Sequence, residues 1–152
     1  MKLAEALILR ADCQKRIAQL QQRLARSARV QEGEQPPEDP QELLQELDEA
    51  LAELLGLIQR INRTNAVTRL GDRSLSDVLA ERDVMWQRRL AYDALITAAA
   101  FNQDRYLRSE LRFVSTVDVA ALQQQTNRLS KDYRELDTQI QALNWSTDLL
   151  ES

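Results

Sequence analysis

A repeat of apolar side chains between residues 40 and 64 constrains the fold of this chain more than any other feature. Its members recur at alternating spacings of three and four residues: Leu44, Leu47, Leu51, Leu54, Ile58 and Ile61. Such a repeat lines one side of an α-helix and packs against a neighbouring helix. Similar repeats predict further long helices over 2–29, 75–102 and 119–147. Three Gly and three Pro in 152 residues are too few turn formers for a many-stranded β-sandwich or barrel.

The segments between the predicted helices indicate where the helices begin and end. Residues 30–39 are polar and contain two prolines, and Asp39 then offers an N-cap for a helix with Pro40 in its first position. Two other stretches, 67–70 and 111–115, alternate apolar and polar side chains as short strands do. The predicted fold is therefore all-α, with four long helices in two antiparallel hairpins. Pairing of the two stretches into a small two-stranded β accessory is left open as an addition.

The two halves of the chain, 1–65 and 73–147, resemble each other in the order of their local patterns. The stretch Ile-Gln-Arg-Ile-Asn-Arg-Thr at 58–64, for example, matches Ile-Gln-Ala-Leu-Asn-Trp-Ser at 140–146. An internal duplication predicts that the two hairpins are related by a pseudo-twofold axis within a single domain that spans 1–152.

The composition limits the chemistry that is available to this chain. It has no His and one Cys, which excludes an internal disulfide and removes the commonest zinc ligand and general base. We expect no cofactor and identify no catalytic residue. The net charge of −4 gives no general attraction to nucleic acid. The longest uncharged apolar run, 94–101, is too short to cross a membrane, and the opening residues lack the pattern of a signal peptide, so we expect a cytoplasmic protein.

Three groups of side chains are candidate binding sites. The first is a polar group at the ends of the second and fourth predicted helices: Arg60, Asn62, Arg63, Asn65, Arg69, Asn144 and Trp145. The second is a basic group that could hold an anion: Arg105, Arg108 and Arg112. The third, Glu46 and Glu49, is a weak candidate for metal binding, because hard cations prefer oxygen ligands. The favoured interpretations are structural: helix caps and turns for the first group, intramolecular ion pairs for the second, and an acidic face paired with the basic first helix for the third.

Five segments of the sequence together resemble a family of small bacterial proteins that is often labelled septicolysin-like. They span nearly the whole chain: LAEALILRADCQKRIAQL, RVQEGEQPPEDPQELL, INRTN, RFVSTVDVAAL and LNWSTDLLE. The resemblance implies a small, all-helical, cytoplasmic bacterial protein. It implies no activity and transfers no site residue.

Three functions are compatible with these patterns. The favoured hypothesis is a non-enzymatic helical interaction or scaffold protein that self-associates or binds an unknown protein partner, because long apolar repeats suit helix–helix recognition. The second is a nucleic-acid or tRNA-binding coiled-coil module, which rests on the abundance of Arg in the first and third helices and is disfavoured by the overall acidity. The third is a small metal-dependent nucleotide hydrolase that would use the acidic second helix.

Overall fold

The computed structural model describes residues 1–100 and 112–152. These ranges contain four α-helices and one two-stranded sheet: α1 Leu3–Ser27, α2 Pro40–Val67, β1 Arg69–Leu70, β2 Arg73–Ser74, α3 Leu75–Ala100 and α4 Val119–Ser146. The expected all-α fold with a small β accessory is confirmed. Each helix lies within one turn of its predicted position at the ends that the structure describes.

Aspartate caps begin two of the helices, as the sequence predicts. The side chain of Asp39 accepts a hydrogen bond from the backbone N–H of Gln41 at 2.9 Å, and Pro40 occupies the first turn of α2. Asp118 accepts from the backbone N–H of Ala121 at 3.0 Å at the start of α4. Both contacts satisfy backbone donors that have no partner within the helix.

The sheet is a local hairpin. Residues 69–70 pair in antiparallel fashion with 73–74, in the register Arg69 with Ser74 and Leu70 with Arg73. The pairing with 111–115 that the sequence left open does not form over the part that the structure describes, because 112–115 form no strand. Gly71 has φ of +65°, which suits a two-residue turn. A turn this short costs little loop entropy, whereas pairing with 111–115 would close a loop of forty residues.

Contacts divide the described chain into two compact units. The first comprises Met1–Leu75 and Ala142–Ser152, and the second comprises Ser76–Gln141. In the first unit α1 runs antiparallel to α2, and a core of buried side chains joins them: Cys13, Leu20, Leu43 and Ala50. Half-buried apolar side chains of both helices surround this core: Ile17, Leu24, Leu47 and Leu54. The pseudo-twofold relation and the single-domain organisation stay predictions.

The buried side of α2 differs from the predicted one. The fully buried positions are Leu43, Ala50, Leu57, Ile61 and Thr64, whereas Leu44 and Leu51 are 41% and 43% exposed. The predicted repeat was therefore wrong at its Leu44 and Leu51 positions. The close approach of α1 explains the difference, because the Cys13 thiol donates to the carbonyl oxygen of Ala50 at 3.1 Å. A position that packs this closely against a neighbouring backbone favours a small side chain.

In the second unit, α3 and α4 are also antiparallel. Arg82 Nη1 lies 2.9 Å from Asp137 Oδ1, and one turn further along α3 the rings of Trp86 and Tyr133 have centroids 5.1 Å apart. The repeat of α4 is buried or half-buried at each of its positions in this unit: Leu122, Thr126, Leu129, Tyr133, Leu136 and Ile140. On α3, Val78 is buried, whereas Leu90 is exposed.

Candidate functional site

The polar group at the end of α2 is partly engaged with the C-terminal segment of the same unit. Arg60 donates from Nε to the Leu150 carbonyl at 3.3 Å and lies 2.8 Å from the carboxylate of Glu151 through Nη2. The buried hydroxyl of Thr64 donates to the Arg60 carbonyl at 2.8 Å and accepts from the Leu150 N–H at 3.0 Å. Arg60 and Thr64 therefore fix the course of the chain after α4. Sequence analysis missed Thr64 because its partner is 86 residues away and no local pattern indicates the contact.

The N-terminal residues hold the same segment from another direction. The Leu3 N–H donates to the Thr147 carbonyl at 2.9 Å, and the Leu149 N–H donates to the Met1 carbonyl at 2.8 Å. Lys2 Nζ lies 2.8 Å from Asp148 Oδ1, and this contact lowers the pKa of Asp148, mainly through the hydrogen bond. Together with the hydrogen bonds of Arg60 and Thr64, these contacts hold the segment after α4 against the first unit.

The other members of the predicted polar group are dispersed between surface and interior. Asn144 is buried and Asn65 is half-buried, whereas four members are exposed: Asn62, Arg63, Arg69 and Trp145. Their role as a ligand pocket stays a prediction. Of the predicted anion-binding group, Arg105 and Arg108 lie outside the described residues, and Arg112 is exposed.

Carboxylates of α2 and of the segment just before it face basic side chains of α1. Arg16 lies 2.6 Å from Glu53, and Arg23 contacts Glu38 at 2.9 Å through Nε and Glu46 at 3.9 Å through Nη1. This arrangement confirms the pairing of an acidic face with the basic first helix. The hydrogen bond from Arg23 lowers the pKa of Glu38.

The two weak metal candidates are therefore in different surroundings. Glu46 belongs to the ion pairs with α1, whereas Glu49 accepts a hydrogen bond from Gln45 at 3.3 Å. Across residues 1–100 and 112–152, no group of three or more Cys, Asp or Glu side chains is placed to hold a metal ion.

A second apolar surface of α2 faces away from α1. It consists of Leu44, Leu51 and Leu55, which are 41%, 43% and 57% exposed, and we call these three residues the outer stripe. Their spacing of seven and four residues places them along one side of the helix. Asp48 and Asn62 are exposed, and their spacing from these leucines places them along the same side of the helix. Sequence analysis assigned Leu44 and Leu51 to the α1 contact and therefore missed this surface.

Comparison with known proteins places the chain in a family. Residues 10–149 match the model of a family of unknown function, DUF6847. The chain belongs to this family. It is also similar to a functionally unknown conserved protein from Corynebacterium diphtheriae, whose crystal structure has a TM-score of 0.93 and 43% sequence identity over 99% of both chains. None of the curated proteins compared matches the chain, and these comparisons do not support the septicolysin-like label.

A helix that spans a membrane must be about 20 residues long and predominantly apolar. Within the part of the chain that the structure describes, no helix is both long enough and apolar enough to cross a bilayer.

Proposed function

We propose that this protein is a non-enzymatic helical interaction protein that self-associates through the outer stripe of α2. The observation that carries the proposal is the exposure of Leu44, Leu51 and Leu55 on a helix whose opposite side is already packed against α1. Full burial of a leucine side chain contributes about 1.5–3 kcal/mol. A second copy of this chain would supply that burial for both partners at once.

The polar residues beside the outer stripe favour a second copy over an unrelated partner. In a twofold-symmetric, antiparallel pairing of two α2 helices centred on Leu55, positions equally far before and after Leu55 face each other. Asp48 lies seven residues before Leu55 and Asn62 lies seven residues after it. Each Asp48 would therefore face Asn62 of the second copy. The Asn62 amide can donate a hydrogen bond to the Asp48 carboxylate, so the helix carries a donor and an acceptor at positions that a self-complementary contact brings together.

The pairing has a defined extent. Leu44 would pack near Ala66 of the second copy, Leu51 near Gln59 and Leu55 against its own equivalent. The contact would run along about 33 Å of helix, from the rise of about 1.5 Å per residue. A single helix pair buries less area than most stable interfaces, so we expect a dimer that dissociates at micromolar concentration.

The contacts of α1 and α2 also favour this role over the two alternatives from the sequence. Nucleic-acid binding rested in part on the arginines of the first helix, and Arg16 and Arg23 face carboxylates of the same unit. A metal-dependent hydrolase would use the acidic side chains of α2, and Glu46 and Glu53 face those arginines. The proposal includes a cytoplasmic location, which the resemblance to small bacterial cytoplasmic proteins implies.

Sedimentation velocity across micromolar concentrations tests the proposal. The wild-type protein should shift from monomer to dimer as its concentration rises. The double variant Leu51→Glu with Leu55→Glu should stay monomeric, because two carboxylates would be buried in each half of the contact. Leu90→Glu is the matched control, because Leu90 is an equally exposed leucine on α3, and it should dimerise like the wild type. A wild-type protein that is monomeric at every concentration would contradict the proposal.

A residue exchange tests the antiparallel register separately. Asn62→Asp alone should weaken dimerisation, because two carboxylates then face each other. Asp48→Asn combined with Asn62→Asp should restore it, since each amide–carboxylate pair is rebuilt with opposite orientation. Failure of the double exchange to restore the dimer, with an intact wild-type dimer, would reject this register.

A further inference from the structure

We propose that a groove between α3 and α4 binds a small phosphorylated polyol. The groove is open to solvent, has a volume of about 160 Å³ and lies entirely within the second unit. Arg88 and Tyr92 line it from α3, and four residues line it from α4: Gln125, Arg128, Leu129 and Asp132. This inference goes beyond self-association, because none of these residues belongs to the outer stripe of α2.

The two arginines distinguish this groove from the rest of the α3–α4 contact. Arg88 and Arg128 come from opposite helices, and within the described residues neither has an ion-pair partner. The neighbouring arginines of α3 are engaged, since Arg82 pairs with Asp137 at 2.9 Å and Arg89 stacks over the Trp86 ring with its Cζ 4.9 Å from the centroid. The groove therefore has two guanidinium groups with unused hydrogen-bond donors.

Two guanidinium groups on opposite walls favour a phosphate group over a carboxylate. Each guanidinium is a planar fork that pairs with two oxygens. A phosphate monoester presents three oxygens and a charge near −2, so it can accept from both forks at once. A carboxylate has two oxygens and one charge, and a single fork satisfies it.

Asp132 and the apolar wall specify what is attached to the phosphate. The carboxylate of Asp132 would repel a bare anion and would accept hydrogen bonds from hydroxyl groups. Tyr92 and Leu129 are half-buried and offer carbon surface beside it. By this measure of volume one water molecule needs roughly 10–15 Å³, so a groove of about 160 Å³ has room for a phosphate with a few hydroxylated carbons. A pentose phosphate has this chemistry.

Isothermal titration calorimetry with ribose 5-phosphate tests the inference. We expect saturable binding at one site per chain, weaker binding of inorganic phosphate and no binding of ribose. Arg88→Gln and Arg128→Gln should each weaken ribose 5-phosphate binding about tenfold, as expected for loss of a charge-assisted hydrogen bond. Arg134→Gln is the matched control, because it removes an exposed arginine of α4 that does not line the groove, and its affinity should equal that of the wild type.

Asp132→Asn separates hydroxyl recognition from simple charge attraction. If Asp132 accepts from a ligand hydroxyl, this variant should lose the preference for ribose 5-phosphate over inorganic phosphate. If the preference is unchanged, the polyol assignment is wrong.

Three other results would overturn the inference. The first is that neither phosphate compound gives a saturable titration, and the second is that Arg134→Gln weakens binding as much as Arg128→Gln. The third is that a short RNA binds while ribose 5-phosphate does not. Circular dichroism should confirm that each variant is folded. The double variant Leu51→Glu with Leu55→Glu should bind ribose 5-phosphate with the same affinity as the wild type, which separates this result from self-association.

Discussion

In the α1–α2 hairpin the helices meet on aliphatic side chains and approach closely at Cys13 and Ala50, whereas contacts between α3 and α4 include aromatic and charged side chains. Ala50 is completely buried and accepts the Cys13 thiol at its carbonyl, so those two backbones lie close together. The second hairpin instead places Trp86 against Tyr133 and Arg82 against Asp137. Large side chains keep helices further apart than small ones do, which explains why the second hairpin has room for a groove.

The solvent exposure of the ion pairs also differs between the two hairpins. In the first hairpin the Arg16–Glu53 pair is at the surface, with both side chains about half exposed. In the second, the Arg82 and Asp137 side chains are 22% and 35% exposed. Exposed pairs contribute little to stability, while shielded pairs are costly to break. The comparison indicates that an apolar core stabilises the first hairpin, whereas a few polar contacts matter more in the second.

The largest expected effect is the loss of core packing in the first hairpin. Leu20→Ala should lower the free energy of unfolding by about 3 kcal/mol, because it removes a completely buried side chain and leaves a cavity. Leu129→Ala in the second hairpin should cost about 1 kcal/mol, because Leu129 is only half-buried. Urea denaturation followed by circular dichroism measures both. Equal losses in the free energy of unfolding would show that the two hairpins do not differ in how much core packing stabilises them.

A smaller effect is expected when one partner of a shielded ion pair is neutralised. Asp137→Asn should lower the free energy of unfolding by about 1 kcal/mol, because Arg82 then keeps its charge without a full counter-charge. The matched variant in the first hairpin, Glu53→Gln, should cost less, since Arg16 remains hydrated. A double-mutant cycle with Arg82→Gln isolates the pair energy. A larger loss for Glu53→Gln than for Asp137→Asn would reverse the comparison.

The smallest effect is a pH dependence that belongs to the first unit. Contacts with Arg23 and Lys2 lower the pKa values of Glu38 and Asp148 below their usual 4.5 and 3.8. A carboxyl group with a lowered folded-state pKa stabilises the fold above its unfolded-state pKa. That contribution is lost as the pH falls through the lower, folded-state value.

Urea midpoints between pH 7 and pH 3 measure this dependence. Glu38→Gln should be less stable than the wild type at pH 7 and should approach it in stability at pH 3. Glu34→Gln, in the same connecting segment, should follow the wild-type curve throughout. A Glu38→Gln curve parallel to the wild-type one at all pH values would show that the pair with Arg23 does not contribute.

The helices were predictable because their signals are local. Asp39 with Pro40 and Asp118 mark helix starts through contacts two or three residues away, and the caps form as expected. The buried side of α2 was not predictable from hydrophobicity, because Leu51 is more apolar than Ala50, yet it is Ala50 that lies against α1. Which side is buried depends on how closely the neighbouring helix approaches, and a single sequence does not encode that distance in any local pattern.

The candidate sites were less predictable than the fold. Arg60 was predicted only as a member of a polar group, and its partners in the structure, Leu150 and Glu151, are about ninety residues away in sequence. The groove between α3 and α4 joins Arg88 to Arg128, which belong to separate helices and share no motif. A groove of this kind exists only once two helices are paired, so composition and spacing do not reveal it.

The buried thiol of Cys13 has a consequence for the kinetics of the first hairpin. It is the only thiol in the sequence, it is 4% exposed, and it donates to the backbone of the opposite helix. A thiol reagent reacts with the thiolate and needs direct access to the sulfur. Alkylation of the native protein should therefore proceed only when α1 and α2 separate, and its rate would report how often this hairpin opens. The chain thus carries an intrinsic probe of local opening, placed in the more tightly packed of its two hairpins.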